Sequence, residues 1–267
     1  DFCKTPCPVF RGKHNGHRLG RWIFLISNGS AEALRVIGKG KKGKDGMRLL
    51  PAIFIFLICL IGGGGIPFQK TAYVPLDSVE PWALVEKFKN NSPENFRLIN
   101  TIVFEYNWNK LSAIGYIEVD VSGKTFKVVC INPIGVKLFE LSGDESKVDT
   151  VFAMEQFTKN NNFASTVGAD IRRVYFNLIP SHSAKIKKKK HQVKFIEPSA
   201  AGVVEYVFAG AEGYLIEKGY YEGNMLNWKV SYYEYQQKDG KIYPAGIILK
   251  NYKYGYTLTI KLKEIPT

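Results

Sequence analysis

The sequence predicts a mainly β fold of the α+β class: an antiparallel half-barrel of about ten to eleven strands, its mouth covered by helices. Three observations carry this. Short runs rich in Val, Ile, Phe and Tyr recur from residue 98 onward, separated by Gly/Asn/Asp/Ser turn groups. The run is interrupted midway by two segments with helical spacing. The last segment alternates with period two, apolar on one side and polar on the other.

The elements follow in order. "DSVEPWALVEKFKNNSP" places Pro81 in a first helical turn, with Trp82, Val85, Phe88 and Lys89 at helical spacing, and predicts a helix over about 79–90. Four strands follow at 98–106, 112–120, 124–132 and 135–143, divided by "NWNK", "VSGK", "NPIG" and "SGDE". "TVFAMEQFTKNNNF" and "ASTVGADIRRVYFNLIP" lack alternation, and their apolar residues recur at three and four, so two helices are expected. The second should begin near Ser165 as N-cap and close before Pro180. Helices inserted halfway along a meander must cross one face or the mouth of the sheet. "SHSAKIKKKKHQ" reads as a solvated loop or a lysine-protected edge strand, with attraction to anionic lipid headgroups through Lys187, Lys188, Lys189 and Lys190 as its functional alternative. Strands resume at 192–197, 202–210, 213–222, 225–237, 242–251 and 252–265. In the last, Tyr252, Tyr254, Tyr256, Leu258, Ile260 and Leu262 share one face.

Upstream of this domain, expected over 75–267, the chain changes character. Residues 47–65, "MRLLPAIFIFLICLIGGGG", join a positive flank to an apolar run and then to small residues, the parts of a secretory signal. The apolar run rises only about 20 Å, against a hydrocarbon core of about 30 Å. An anchor and a buried helix are the alternatives. Cys59 is a weak lipidation site, because the residue before it is Ile58 rather than a small one. Residues 1–46 carry ten Lys/Arg against three Asp/Glu. They read as a basic leader, disordered or not part of the native protein, with translation starting at Met47. Cys3, Cys7, His14 and His17 are zinc-ligand types, but the pairs are too close together for a finger.

The formal net charge of +13 is thus concentrated outside the domain, where 25 Lys/Arg face 21 Asp/Glu over residues 71–267. A nucleic-acid partner is not expected. Cys130 is the one cysteine beyond the apolar segment, so no intramolecular disulfide is expected in the domain.

Aromatic residues cluster in the second half of the chain. They are either ordinary core or the lining of an apolar cavity with hydroxyls at its mouth. The candidates for that lining are Tyr206, Phe208, Trp228, Tyr232, Tyr252, Tyr254 and Tyr256, with the inward face of each strand left open. "FKVVCINPIGVKLFELSGD", "ADIRRVYFNLIP", "VEYVFAG" and "YPAGIILKNYKYGYTLTIKLKEI" resemble an uncharacterised branch of predicted bacterial outer-membrane lipoproteins with the LolA/LolB-like lipoprotein-localisation fold. The resemblance covers about 75–267. It implies a half-barrel closed by helices, with a cavity for acyl chains, in the periplasm or at the outer membrane.

Catalytic signatures are missing: no nucleophile elbow, phosphate loop or metalloprotease helix is present. Asp170, Arg172 and Arg173 are expected to pair locally or with a Glu on a strand rather than to bind an anion, and Glu217 with Glu222 is an ordinary strand arrangement. The expected function is therefore non-enzymatic and free of cofactors: a cell-envelope protein holding an acyl chain or a lipidated partner in a hydrophobic cleft, with lipoprotein localisation as one role. The alternative is a structural envelope lipoprotein with a filled core that docks a protein.

Overall fold

The computed structural model describes residues 67–76, 78–159 and 162–266. The basic leader, the apolar segment, Met47 and Cys59 lie outside them.

The first helix, α1 (Pro81–Asn91), has Pro81 at its first position, and the Glu80 carboxylate accepts from the Ala83 N–H at 2.7 Å. Ser92 and Pro93 end it, with Ser92 Oγ donating to the Phe88 carbonyl at 2.8 Å. Five strands follow: β1 (Asn95–Tyr106), β2 (Asn109–Asp120), β3 (Thr125–Ile131), β4 (Lys137–Gly143) and β5 (Val148–Ala153). Then come the short α2 (Glu155–Thr158) and α3 (Phe163–Tyr175). Seven strands complete the chain: β6 (Lys185–Lys189), β7 (Gln192–Ser199), β8 (Gly202–Ala209), β9 (Tyr214–Glu222), β10 (Met225–Lys238), β11 (Lys241–Asn251) and β12 (Tyr256–Glu264).

All twelve strands form one open antiparallel sheet, ordered β5-β4-β3-β2-β1-β12-β11-β10-β9-β8-β7-β6. The chain starts at the sheet's centre and steps out to the β5 edge. It then crosses to the β6 edge and steps back until β12 pairs with β1, Ile102 opposite Ile260 and Tyr106 opposite Tyr256. The segment joining the two edges has to cross a face, and α3 does so. This is the expected architecture with one strand more than the upper expectation, and the sheet stays open.

The extra strand comes from "TVFAMEQFTKNNNF", expected to be helical throughout. Residues 148–153 instead pair with β4, Gly143 opposite Val148 and Phe139 opposite Ala153. The turn is closed by Asp144, whose Oδ1 accepts from the Ser146 and Lys147 N–H groups at 2.7 and 2.8 Å. Ladder hydrogen bonds outweigh the weak helical spacing of Phe152, Met154 and Phe157. The lysine run forms β6, an exposed edge strand. The helix expected from Ser165 starts two residues earlier, and Ser165 Oγ donates to the Asn162 carbonyl at 2.9 Å from within the first turn. The last strand begins at Tyr256 rather than Tyr252. Residues 252–255 are a turn, with Gly255 at φ +70 and the Tyr254 N–H donating to Asn251 Oδ1 at 3.1 Å.

The sheet's inner face, on which α1 and α3 pack, holds the core. Leu84, Val85 and Phe88 of α1 and Ile171 and Val174 of α3 are buried there with Val119, Leu141, Phe195, Phe208 and Leu249. The outer face carries the segment before α1. Phe68 stacks on Tyr233 with ring centroids 5.4 Å apart and lies where a Cβ on Gly246 would clash at 2.4 Å. The Gln69 N–H donates to the Glu234 carboxylate and the Leu76 N–H to the Lys190 carbonyl. This strap leads the chain round the sheet's end to α1.

Candidate functional site

The inner face divides into three zones. Over β7 and β8 it is filled by rings. Phe208 lies edge-on to Phe88 and Phe195, at 5.8 and 5.6 Å, and Trp82 covers Phe195 at 4.9 Å. Phe195 and Phe208 are fully buried. Such packing leaves little room for a guest.

The middle zone is polar and fastens α3 to the sheet. Tyr232 of β10 donates to the Val174 carbonyl at 2.9 Å. Tyr256 of β12 donates to Asp170 Oδ2 at 2.6 Å and accepts from Asn251 Nδ2 at 3.0 Å. Arg173 pairs with Asp170 Oδ1 at 2.6 Å. Lys218 of β9, 4% exposed, donates to the carbonyls of Phe176 and Arg173 at 2.7 and 3.3 Å. These carbonyls end α3, where a cation meets the negative end of the helix dipole. Burial pushes the Lys218 ammonium down to about 7, opposed by the Glu197 carboxylate and assisted by Arg173. Burial raises Asp170 above the usual carboxylate range, against the pull of Arg173 and Tyr256. Arg172 reaches the other half of the sheet, donating to the Asp144 and Lys147 carbonyls at 2.7 and 3.0 Å. Arg173 and Asp170 thus pair locally, Arg172 and Asp170 bond to distant parts of the sheet, and Glu217 pairs with Lys229 at 3.0 Å.

The third zone is hollow. A half-open, mainly apolar cavity of about 260 Å³ lies between the C-terminal ends of α1 and α3 and the centre of the sheet. Lys89, Glu94 and Ser122 border it at the end where α1 runs into β1. Its walls include Phe88, Phe96, Tyr235, Ile242 and Tyr243. Val174 of α3 lines it too, and further along the strands so do Leu98, Tyr232 and Ile247. The register places these beyond Phe96, Tyr235 and Tyr243, at the inner end. Tyr232 donates to Val174, Tyr235 to the Leu215 carbonyl at 2.7 Å, and Tyr175 shares a hydrogen bond with Asn100. Among the described residues the one buried side-chain nitrogen or oxygen without a partner is His191 Nδ1, in the β6–β7 turn rather than the cavity.

Of the seven residues expected to line a cleft, Tyr232 does so. Tyr206 and Phe208 are buried in the packed region over β8. Trp228, half-buried, stacks with Tyr220 at 6.0 Å beneath the Arg173 guanidinium. Tyr256 belongs to the polar layer. Tyr252 and Tyr254 sit in the β11–β12 turn, 49% and 40% exposed, because the strand starts after them. Tyr235, Tyr243 and Tyr175, outside the expected set, line the cavity as well. A left-handed residue, Glu234 at φ +52, shifts the alternation in β10. It puts Tyr232 and Tyr235, three apart, on the same face, which strict period two does not foresee.

At the opposite end of the sheet from the cavity mouth the turns carry exposed apolar residues: Trp108 (β1–β2), Ile134 (β3–β4) and Tyr252 and Tyr254 (β11–β12), with Met225 beginning β10. The turns at the cavity end are polar, as in "SGK", "DESK" and "KDGK". No described helix is long and apolar enough to cross a membrane.

Known proteins give a likeness at low identity. The chain is similar to a LolA superfamily protein from Nitrosomonas europaea at 10% identity, covering 70% of this chain and 93% of that one, TM-score 0.45. It is similar to a domain from Vibrio parahaemolyticus described as a candidate outer membrane lipoprotein-sorting protein, at 12% identity, 69% and 90% coverage, TM-score 0.42. A DUF1329 family protein from Desulfovibrio piger matches at 11% identity, 69% and 90% coverage, TM-score 0.46. No family model matches the chain, and no curated protein matches it.

Proposed function

We propose that the protein is a non-catalytic component of the bacterial cell envelope that holds an acyl chain, free or on a lipidated partner, in the cleft beneath α1 and α3. The observation that carries this reading is the cavity itself: apolar walls, one open side and about 260 Å³ of unfilled space. Each methylene placed there is worth about 0.8 kcal/mol before ordering costs. The strongly perturbed groups where α3 meets the sheet, Lys218 of β9 and Asp170 of α3, are spent on fastening that helix, which supports a binding role rather than a catalytic one. Lipoprotein localisation is the specific role we assign from the sequence resemblance, in the periplasm or at the outer membrane. The lysines of β6 and the β6–β7 turn, all exposed apart from contacts such as Lys188 Nζ with the Val79 carbonyl, suit an anionic membrane surface.

The packed rings over β7 and β8 favour the second reading, a scaffold with a filled core that docks a protein. Native mass spectrometry with lipid extraction separates the two. Co-purifying amphiphile, lost when Ile247→Trp fills the inner end, supports the acyl reading. A ligand-free protein that takes up no amphiphile when offered it leaves the scaffold.

A further inference from the structure

We infer that the cavity is a ruler for a single hydrocarbon chain of about ten carbons, with the ligand's headgroup outside; the figure comes by proportion from an engineered cavity of about 150 Å³ that takes benzene. The inference deepens the acyl-binding reading and rests on it.

The inner end of the cavity is closed by packing and by charge. Tyr232 and Ile247 face one another across β10 and β11, and Tyr232 is tied to the Val174 carbonyl. The next rung is Val230 opposite Leu249, both fully buried. Beside Val230 on β9 stands Lys218, bound to the last carbonyls of α3. One turn up α3 lies Asp170, held by Arg173 and Tyr256. A longer chain would have to displace this layer and strand buried polar groups without partners, a cost of several kcal/mol that extra methylenes do not offset. Rotamer changes do not extend the cavity, because Tyr232 at its inner end and Tyr235 nearer the mouth are hydrogen-bonded in place.

The polar inventory sets the ligand's chemistry. Tyr175, Tyr232 and Tyr235 have their hydroxyls engaged, and no buried polar atom of the lining is left without a partner. The interior therefore suits plain hydrocarbon. A headgroup is left at the border, where Lys89 and Glu94 offer one charge of each sign and Ser122 a hydroxyl. One tail of that length occupies the space, so a two-tailed phospholipid is excluded by volume.

The test is a calorimetric titration of the full chain with n-alkyl glucosides of six to fourteen carbons, each below its micelle-forming concentration. Affinity should rise about fourfold per methylene. It should level off near about ten carbons. Dioleoylphosphatidylcholine vesicles should lose no lipid to the protein. Ile247→Phe should move the plateau to shorter chains. Affinity that keeps climbing through fourteen carbons, or uptake of the two-tailed lipid, overturns the ruler and leaves the acyl reading standing. Absence of binding at every length overturns the acyl reading and the ruler with it.

Discussion

The inner face over β7 and β8 and the inner face over the start of β1 and β11 are built from the same residue types, yet one is solid and the other hollow. Over β7 and β8, Phe195 and Phe208 point at Phe88 and Trp82 of α1, and the rings meet edge to face. At the hollow end α1 has already stopped at Ser92, and α3 ends at Tyr175. Strands continue where helices do not, so sheet side chains there meet only the last residues of the helices, Phe96 against Tyr175 and Tyr235 against Phe88, and space is left beyond them. Hydrophobic lining alone does not make a cavity; the length of the covering helix decides whether it is filled.

Substitutions probe that contrast, with the largest effect in the solid half. Phe208→Ala should lower stability by about 3–5 kcal/mol in urea unfolding, because its neighbours are immobilised and cannot collapse. A small loss would mean that the packed half is as loose as the hollow one. The polar layer between the halves gives a pH signature. Lys218 binds fewer protons folded than unfolded between about 7 and its ordinary value of 10.5. Stability should therefore rise with pH from 7 toward 9, with a slope approaching about 1.4 kcal/mol per unit. Above 9 the gain is opposed by Cys130, whose thiol burial pushes up to about 12. Lys218→Met should flatten the rise; an unchanged profile would show that the ammonium keeps its charge at no cost. Tyr256→Phe strips Asp170 Oδ2 of a buried partner and should cost about 1–3 kcal/mol, against about 1 kcal/mol for Tyr232→Phe, whose partner is a neutral carbonyl. Equal losses would mean that α3 is held no more firmly by the charged contact than by the neutral one. The smallest effect lies outside both halves. Trp108 is fully exposed at φ +68, and Trp108→Gly should leave chain-length selectivity unchanged while stabilising by about 0.5–1 kcal/mol.

Much of the fold was legible because its signals are local. Pro81 and the spacing of Val85 and Phe88 announce α1, and the alternation of Ile260 with Thr259 and Lys261 announces β12. β5 was misread because six residues of ambiguous spacing are settled by a neighbour, β4, and not by themselves. The candidate site was less legible. Of the strands that carry the expected aromatics, β8, β10 and β12, β10 alone lines the cavity; Tyr206, Tyr232 and Tyr256 share the inner face and differ in what lies opposite each. Lys218, in the run "IEKGYY", looks like a surface lysine until the end of α3 is placed over it.

The sequence by itself determined that this chain makes an antiparallel sheet with helices crossing it midway, because period and turn chemistry are properties of short stretches. Only the tertiary structure decided which aromatics pack, which lysine is buried and where a hollow remains. Those outcomes depend on how far α1 and α3 reach across strands distant from them in the chain, and the space between two elements belongs to neither of their sequences.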